Sequence, residues 1–493
     1  MKTLRELVVD HPCMQNGKAD AFRVRTADGI KGISRQEFRD DVYRLGGWIL
    51  THRSEKSVCI LGSDCYEWVI AHISLTCGAG IAVGLDKELS AREAASQIRE
   101  CDSKMLLYTR KYNDAAERIR ECAGAWLQIY CIDDLLEALR LDSKDYGALY
   151  VQSVPAFDDV VAIFFTSGTT GTTKGIQLTH RNMAASIIGI DGWAGYGEKD
   201  VLLQVLPMHH CYACICGIYL ILMTGTVICI CDSVRRILEN IRLFKPNTLH
   251  AVPAIYEMLL KALKASGMDL DSFFGTHFKW FISGGAALPK ETAAAFMEYG
   301  LDIYNGYGTT ECASAIIIED KKHSRPGSIG KPLTSCEVQI MDNEICVRGD
   351  VVFKGYLHDE EATKSVLYDG WFHTGDLGFM DEEGFITITG RKKNLIILEN
   401  GKNVSPEEME KDLTAAVPQI REVQVYAMDG VIVAEIYPGS DVETDQIQET
   451  LDRAVNVFNR SQPLYKQVQR VIVRDQPFPK TSTQKIIRTH TGK

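Results

Sequence analysis

No stretch of this chain concentrates lysine and arginine: 54 basic residues face 65 acidic ones, and the net charge is −11. An extended nucleic-acid footprint, which needs clustered cations to replace phosphate counterions, is therefore not expected. The first ten residues are mixed polar and charged, with no apolar secretory core, so a reducing, cytoplasmic setting is expected. Nor is a disulfide or zinc framework indicated. The fifteen cysteines sit mostly inside apolar runs such as Val58-Cys59-Ile60 and Ile345-Cys346-Val347, where they read as small hydrophobes. Their closest cluster, Cys211, Cys214 and Cys216, lacks a second C-x-x-C at zinc spacing. No internal repeat or long disordered tract is visible. Cys211 to Cys231 runs without a charge far enough to span a bilayer. Its central Thr224-Gly225-Thr226 is a turn signal, however, so the segment is expected to form a buried helix, turn and strand.

What is present is enough apolar material for several cores. At 493 residues, 45% hydrophobic and 24% charged, two or three domains are the expectation. From Ser57 onward short apolar strands (Ser57–Leu61, Ile81–Val83, Met105–Tyr108) alternate with amphipathic helices, the pattern of βαβ units and parallel sheets. A second series follows, with strands near Val201–Leu206, Val227–Cys231, Leu249–Val252, Trp280–Ser283 and Asp302–Tyr304. Between Asp369 and Gly390 strand-turn signals replace this rhythm. The fold class expected is α/β: a large N-terminal domain of parallel-rich sheets with a small β-subdomain, then a small α+β C-terminal domain.

Between the two series stands Thr166-Ser-Gly-Thr-Thr-Gly-Thr-Thr-Lys174-Gly175, which packs six hydroxyls, three glycines and one lysine behind the apolar run Val160 to Phe165. Glycines let backbone N–H groups converge on an anion, and Thr166, Ser167, Thr169, Thr170, Thr173 and Lys174 add donors and charge. The spacing is not that of G-x-x-x-x-G-K-[ST]. Counting from Gly168, the second glycine should fall at Thr173, and Lys174 precedes Gly175 rather than Ser or Thr. The run is another class of phosphate binder, or a Gly/Thr linker of the same composition.

Five further clusters follow at strand ends or turns, where parallel α/β folds place ligands: Ser283-Gly-Gly-Ala-Ala287, Tyr304-Asn-Gly-Tyr-Gly-Thr-Thr-Glu311, Asp369-Gly-Trp-Phe-His-Thr-Gly-Asp376, Gly390-Arg-Lys-Lys393 and Pro479-Lys-Thr-Ser-Thr-Gln-Lys485. In this order they resemble the adenylate-forming superfamily of acyl-CoA synthetases, peptide-synthetase adenylation domains and firefly luciferase. The resemblance spans about residues 5 to 490. Within it, Asp369–Lys393 is similar to the fatty-acyl-CoA synthetase signature, and Asn400-Gly-Lys-Asn-Val-Ser-Pro-Glu-Glu408 and Lys480–Arg488 look like bacterial long-chain members.

The resemblance implies two half-reactions: a carboxylate attacks the α-phosphate of Mg-ATP to give an acyl-adenylate and pyrophosphate, then the thiol of CoA takes the acyl group. It assigns the β- and γ-phosphates to Thr166–Lys174, including Gly168 and Gly171, and Mg²⁺ to Glu311 and Thr166. Thr310 would donate to the α-phosphate. Gly285, Ala286, Ala287, Tyr307 and Gly308 would bracket the adenine, and Asp376 and Arg391 the ribose. Lys485 would stand between substrate carboxylate and α-phosphate, carried by a mobile C-terminal domain (393–493, after 1–392) hinged at Lys393. Gly401 and Lys402 would line the pantetheine tunnel, and His210 the acyl entrance, with His209 as its substitute. Met208, Tyr212, Cys214 and Ile255 are candidate pocket walls.

Singly, each residue has an ordinary reading. Asp376 or Glu311 could cap a turn or helix, Arg391 or Lys485 could be a solvated charge, and Tyr307 a half-buried aromatic. The order of six motifs favours the functional reading. Departures include a compressed stretch after Glu311, a short Asp342–Cys346 turn, and Asn394 where an acidic residue is common. A ligase that loads an acyl carrier protein's phosphopantetheine, an aryl-acid–CoA ligase and a non-catalytic AMP-binding protein share these motifs. A carrier domain itself is not expected, since no Asp-Ser phosphopantetheine site is evident.

Overall fold

The computed structural model describes residues 2–167, 173–319, 321, 325, 327–398, 402–439, 447–480 and 486–488, with only the backbone of Ser167. The chain forms two compact units. The first comprises Met1–Glu337 and Val347–Phe372, the second Val338–Cys346 and His373–Lys493. The segment from His373 to Lys392 thus packs with the second unit, ahead of the expected hinge at Lys393.

The first unit holds two mixed sheets. In the seven-stranded sheet, Ser57–Leu61, Ile81–Gly84, Met105–Tyr108, Gln128–Cys131 and Val160–Ser167 run parallel, and Thr173–Thr179 and Gly355–Tyr356 add antiparallel strands at one edge. In the nine-stranded sheet the parallel core is Asp20–Thr26, Val227–Ile230, Val201–Gln204, Thr248–Ala251, Trp280–Ser283 and Ile303–Thr309. Both cores are runs of Val, Ile, Leu, Phe and Cys that face packed layers on either side, as parallel strands must. Phe281 lies edge to face with Phe296 at 5.3 Å, and both are fully buried.

The charge-free segment after Cys211 does fold as buried helix, turn and strand: helical turns run from Cys211 to Thr224, Gly225 ends them, and Val227–Ile230 follows. Among the described residues no helix is long and apolar enough to cross a membrane. All fifteen cysteines are free thiols, ten of them buried, as expected of small hydrophobes.

The second unit has its own core, in which Val425, Ala434, Ile436, Leu413 and Leu451 are fully buried. Strands Glu422–Met428 and Val431–Tyr437 form a hairpin, and Arg470–Val473 lies parallel beside it. Helix Pro406–Ala416 starts on Ser405, whose hydroxyl accepts from Glu408 N–H, with proline in its first turn.

Buried histidines, His72, His180 and His250, contribute a pH dependence in the first unit, each held below the usual imidazole range by burial. His72, 2% exposed, stacks on Trp68 at 5.0 Å, with Nδ1 3.0 Å from the Tyr219 hydroxyl. Burial pushes its pKa from 6.5 down to about 3. Between those values the unfolded chain binds the proton and the folded one does not, so stability present above pH 6.5 is lost as pH falls toward 3. All six tryptophans lie in this unit. The tryptophan-fluorescence unfolding midpoint is expected to fall over that window, and less steeply in His72→Gln. Equal slopes in the two proteins would remove His72 as a source.

Candidate active site

The two ends of the Gly/Thr run lie on paired strands. Val160–Ser167 and Thr173–Thr179 pair antiparallel, with Thr166 opposite Lys174 and Ser167 opposite Thr173. Its base is fixed by Ala162, Ile163, Phe164, Ile176 and Leu178, all buried. Gly168, Thr169, Thr170, Gly171 and Thr172 lie outside the described residues. At the stem Thr166 is half-buried and Thr173 exposed. The Lys174 ammonium lies over the Tyr356 ring, 4.6 Å from its centroid.

Tyr356 reaches the next candidate. Its hydroxyl donates to Glu311 Oε1 at 3.0 Å, and the N–H of Phe353 donates to the Glu311 carbonyl at 2.7 Å. Tyr356 therefore lies between the lysine of the hairpin and the carboxylate of Glu311. The sequence reading did not name it. A lone tyrosine, far along the chain from both partners, carries no local signal until Gly355–Tyr356 docks antiparallel on Ile176 and Gln177.

Thr310 and Glu311 stand on a short turn after strand Ile303–Thr309. The chain reverses there so tightly that a Cβ on Gly308 would lie 1.5 Å from the Ser314 carbonyl oxygen, a distance only glycine permits. Ala313 and Ser314 complete the reversal at φ 50° and 88°, a left-handed path costly to residues with a Cβ. Glu311 thus offers one oxygen already engaged by Tyr356 and a second with hard-donor character. Among the described residues no group of three His, Cys, Asp or Glu is arranged to hold a metal. That donor set does not suit an all-protein metal cage; it suits Mg²⁺, which is commonly held by one or two carboxylates with waters and substrate phosphates.

Beside this turn, Trp280–Ser283 runs parallel to Ile303–Thr309, with Ser283 opposite Asn305. Gly285, Ala286 and Ala287 follow the strand end and are exposed, and Tyr307 is half-buried. Ser283 Oγ and Asn305 Oδ1 are buried polar atoms without a hydrogen-bond partner among the described residues. Such groups normally find partners, so two adjacent orphans at carboxyl ends of parallel strands mark a place for a polar ligand.

His210 is half-buried just before helix Cys211–Cys214, its ring centroid 4.2 Å from that of His209, whose Nε2 lies 3.5 Å from Asp86 Oδ2. The Tyr212 hydroxyl donates to the Ile282 carbonyl at 3.2 Å, and its ring lies so close that a Cβ on Gly284 would meet it at 3.0 Å. Met208 and Cys214 are fully buried, and Ile255 packs into the core with Tyr256 and Leu259.

In the second unit, Asp376, 5% exposed, lies opposite Arg391 across an antiparallel strand pair. The guanidinium grips both carboxylate oxygens, Nε at 2.5 Å and Nη2 at 3.3 Å, a bidentate pair of the strong kind. Lys393 is exposed on the turn Lys392–Asn394. Asn394 is buried and donates to Glu407 Oε1 at 2.5 Å, an amide donor to a carboxylate. The Lys402 ammonium lies 4.1 Å from the Tyr465 ring centroid. Gly401 and Lys485 lie outside the described residues. Near Lys485, Lys480 bridges to Ile486, and Arg488 pairs with Glu410 at 2.6 Å.

The first unit therefore brings Thr166, Lys174, Tyr356 and Glu311 into one connected set, with Tyr307 and Gly285–Ala287 on neighbouring strand ends; Asp376, Arg391, Lys393 and Lys402 belong to the second unit. A cavity of about 460 Å³ lined by Asp41, Tyr66, Arg140 and other charged residues contains none of them. Its buried carboxylate, Asp41, is already bound by the Tyr66 hydroxyl and by Arg140, so this space has the character of a solvated ion-pair cleft.

Comparison with known proteins follows the same outline. The chain is 28% identical over 424 residues to a long-chain-fatty-acid–CoA ligase of Mycobacterium bovis, covering 73% of this chain and 69% of that protein. It is 28% identical over 518 residues to 4-coumarate–CoA ligase 1 of Arabidopsis thaliana, covering 97% and 88%. The fold matches that of o-succinylbenzoate coenzyme A synthetase from Bacillus subtilis in complex with AMP, with a TM-score of 0.81 and 24% identity over 97% and 96% of the two chains. It also matches an anthranilate CoA ligase in complex with anthranoyl-AMP, with a TM-score of 0.83 and 21% identity over 99% and 96%. The model of the AMP-binding enzyme C-terminal domain matches residues 393–493. The model of the AMP-binding enzyme family itself matches residues 9–357, and the chain belongs to that family.

Proposed function

We propose that this enzyme is an AMP-forming acid–CoA ligase, cytoplasmic and acting on a fatty acid, which joins the acid to AMP with release of pyrophosphate and then passes the acyl group to the thiol of CoA. The observation that carries the reading is the connected set Lys174, Tyr356 and Glu311. It sets a cation and a carboxylate at the mouth of a hydroxyl-rich hairpin, the donor set a triphosphate and its counter-ion require. Fifteen unpaired thiols support the reducing compartment.

The roles follow from chemistry. Lys174 and the hydroxyls of the hairpin bind the departing β- and γ-phosphates, and Thr310 donates to the α-phosphate. Glu311, with Thr166, holds Mg²⁺. When bound, that ion neutralises charge growing on the phosphate oxygens. Gly285 to Ala287, Tyr307 and Gly308 receive the adenine, with Ser283 Oγ and Asn305 Oδ1 at hand as polar partners. Asp376 accepts from ribose hydroxyls. Lys485 supplies a point charge that aligns the attacking carboxylate with the α-phosphate. Lys393 absorbs the backbone change between half-reactions, Gly401 and Lys402 guide the pantetheine arm, and His210 borders the acyl entrance.

The fatty-acid reading rests on the motif likeness and on the relative from Mycobacterium bovis. One observation favours an aryl acid instead. The Tyr212 ring stands at Gly284, a flat wall beside a strand end, and the 4-coumarate–CoA ligase likeness extends over 97% of the chain.

Mixing the protein with Mg-ATP and a panel of aliphatic and aromatic acids is expected to release pyrophosphate fastest with aliphatic acids. An aromatic preference would install the second reading, and no release with any acid would end both. Adding CoA or a holo carrier protein and weighing the thioester identifies the acceptor; CoA is expected. In Lys485→Ala, adenylation is expected to fall at least about a hundredfold while thioester formation from supplied acyl-adenylate persists, and equal loss of both steps would refute the division of labour. Tyr356→Phe removes the hydroxyl that orients Glu311. Its half-saturating Mg²⁺ concentration is expected to rise about threefold to tenfold, with turnover at saturating Mg²⁺ largely kept; an unchanged Mg²⁺ curve would show that Tyr356 does not serve the ion.

A further inference from the structure

Glu344 is a carboxylate only 4% exposed, and a charge so placed persists only with partners. It has three within the second unit. Oε1 accepts the N–H of Gly375 at 2.8 Å, and Oε2 accepts from Lys392 Nζ at 2.8 Å and lies 3.7 Å from His373 Nδ1. Gly375 directly precedes Asp376, and Lys392 directly follows Arg391. One buried carboxylate is therefore tied to the chain on both sides of the Asp376–Arg391 pair.

The neighbouring residue completes the hold. Thr374 Oγ1 donates to the Ile345 carbonyl at 2.7 Å and accepts the N–H of Asp376 at 3.0 Å. Gly375 itself sits at φ 73° within strand Trp371–Met380, a left-handed turn whose N–H needs an acceptor. That acceptor is Glu344. We infer that Glu344 is a positioning residue for the Asp376–Arg391 pair, and through it for recognition of the ribose hydroxyls of the nucleotide. The inference rests on the proposed role of Asp376.

The charge and the shape of Glu344 do separate work. An amide at this position still offers an oxygen to Gly375 but leaves the Lys392 ammonium without its carboxylate, whereas alanine removes both contacts. The decisive readout is the ratio of kcat/KM for ATP to that for 2′-deoxy-ATP and 3′-deoxy-ATP, measured by pyrophosphate release with the full-length enzyme and one reactive acid. A loosened Asp376 loses the benefit of the hydroxyls, so the ratio falls; a general loss of packing lowers both numbers together and leaves the ratio unchanged.

Glu344→Ala is expected to raise KM for ATP and to lower the hydroxyl discrimination about tenfold, with kcat much less affected. Glu344→Gln, nearly isosteric, is expected to fold normally and to recover most of the discrimination. Asp376→Asn serves as the reference. If it loses discrimination while both Glu344 variants keep the wild-type ratio, the inference is overturned and the role of Asp376 stands. If Asp376→Asn itself keeps the wild-type ratio, the ribose reading fails and takes this one with it.

Discussion

The segment from Phe353 to Leu357 is the constraint on which the first unit's site depends, because it binds the ends of both sheets at once. Lys354 N–H donates to the Gln177 carbonyl at 3.1 Å and Leu357 N–H to the Gly175 carbonyl at 2.7 Å, which ties it to the strand carrying Lys174. Phe353 N–H donates to the Glu311 carbonyl at 2.7 Å, which ties it to the turn at the end of the other sheet. Only because this short stretch is fixed at both edges does Tyr356 lie between Lys174 and Glu311. Upstream, Asn182 anchors the same segment through the carbonyls of Asp350 and Val352, so a helix residue buried for structural reasons sets the geometry of the polar cluster.

Behind that polar edge, the core is closed to chemistry by desolvation. His72, Tyr219 and Thr76 form a buried hydroxyl and imidazole network, and burial keeps the ring neutral while pushing Cys214 and Cys211 well above the ordinary thiol range. None of these groups is poised to ionise near neutral pH, which distinguishes them from nucleophiles of the activated kind.

Much of this layout is legible in the sequence because parallel strands buried on both faces are continuous apolar runs. Ser57–Leu61, Met105–Tyr108 and Trp280–Ser283 have the bounds that pattern predicts. Thr173–Thr179 does not announce itself, since its first three residues read as loop composition and its pairing with Val160–Ser167 is a tertiary fact. The motif residues are legible as a set through their order. Tyr356 and Glu344 are not, for the same reason in each case: their importance lies in partners tens of residues away, Glu311 and Lys174 for one, Gly375 and Lys392 for the other. Spacing rules describe a ligand's contacts with a loop and are silent about what holds the loop.

The failure of the G-x-x-x-x-G-K-[ST] spacing at Gly168, the P-loop pattern, has a structural counterpart with electrostatic consequences. In a P-loop the strand leads into a helix whose N-terminal N–H groups and dipole face the phosphates. Here the run returns along a second strand, and the next helix begins only at His180. That helix has its first turn satisfied: Thr179 Oγ1 accepts from Asn182 N–H and Asn182 Oδ1 from Thr179 N–H in a capping box, and the N–H groups of His180 and Arg181 donate to the Asp159 and Phe157 carbonyls. In the proposed reaction, with no helix dipole to share the load, neutralising the triphosphate would fall on Lys174, on loop hydroxyls and on a divalent ion brought with the nucleotide. Lys174 would then have to be held ready while no phosphate is bound. The face of the Tyr356 ring would do this, because cation–π attraction is strong enough to orient an ammonium and weak enough to release it to a phosphate.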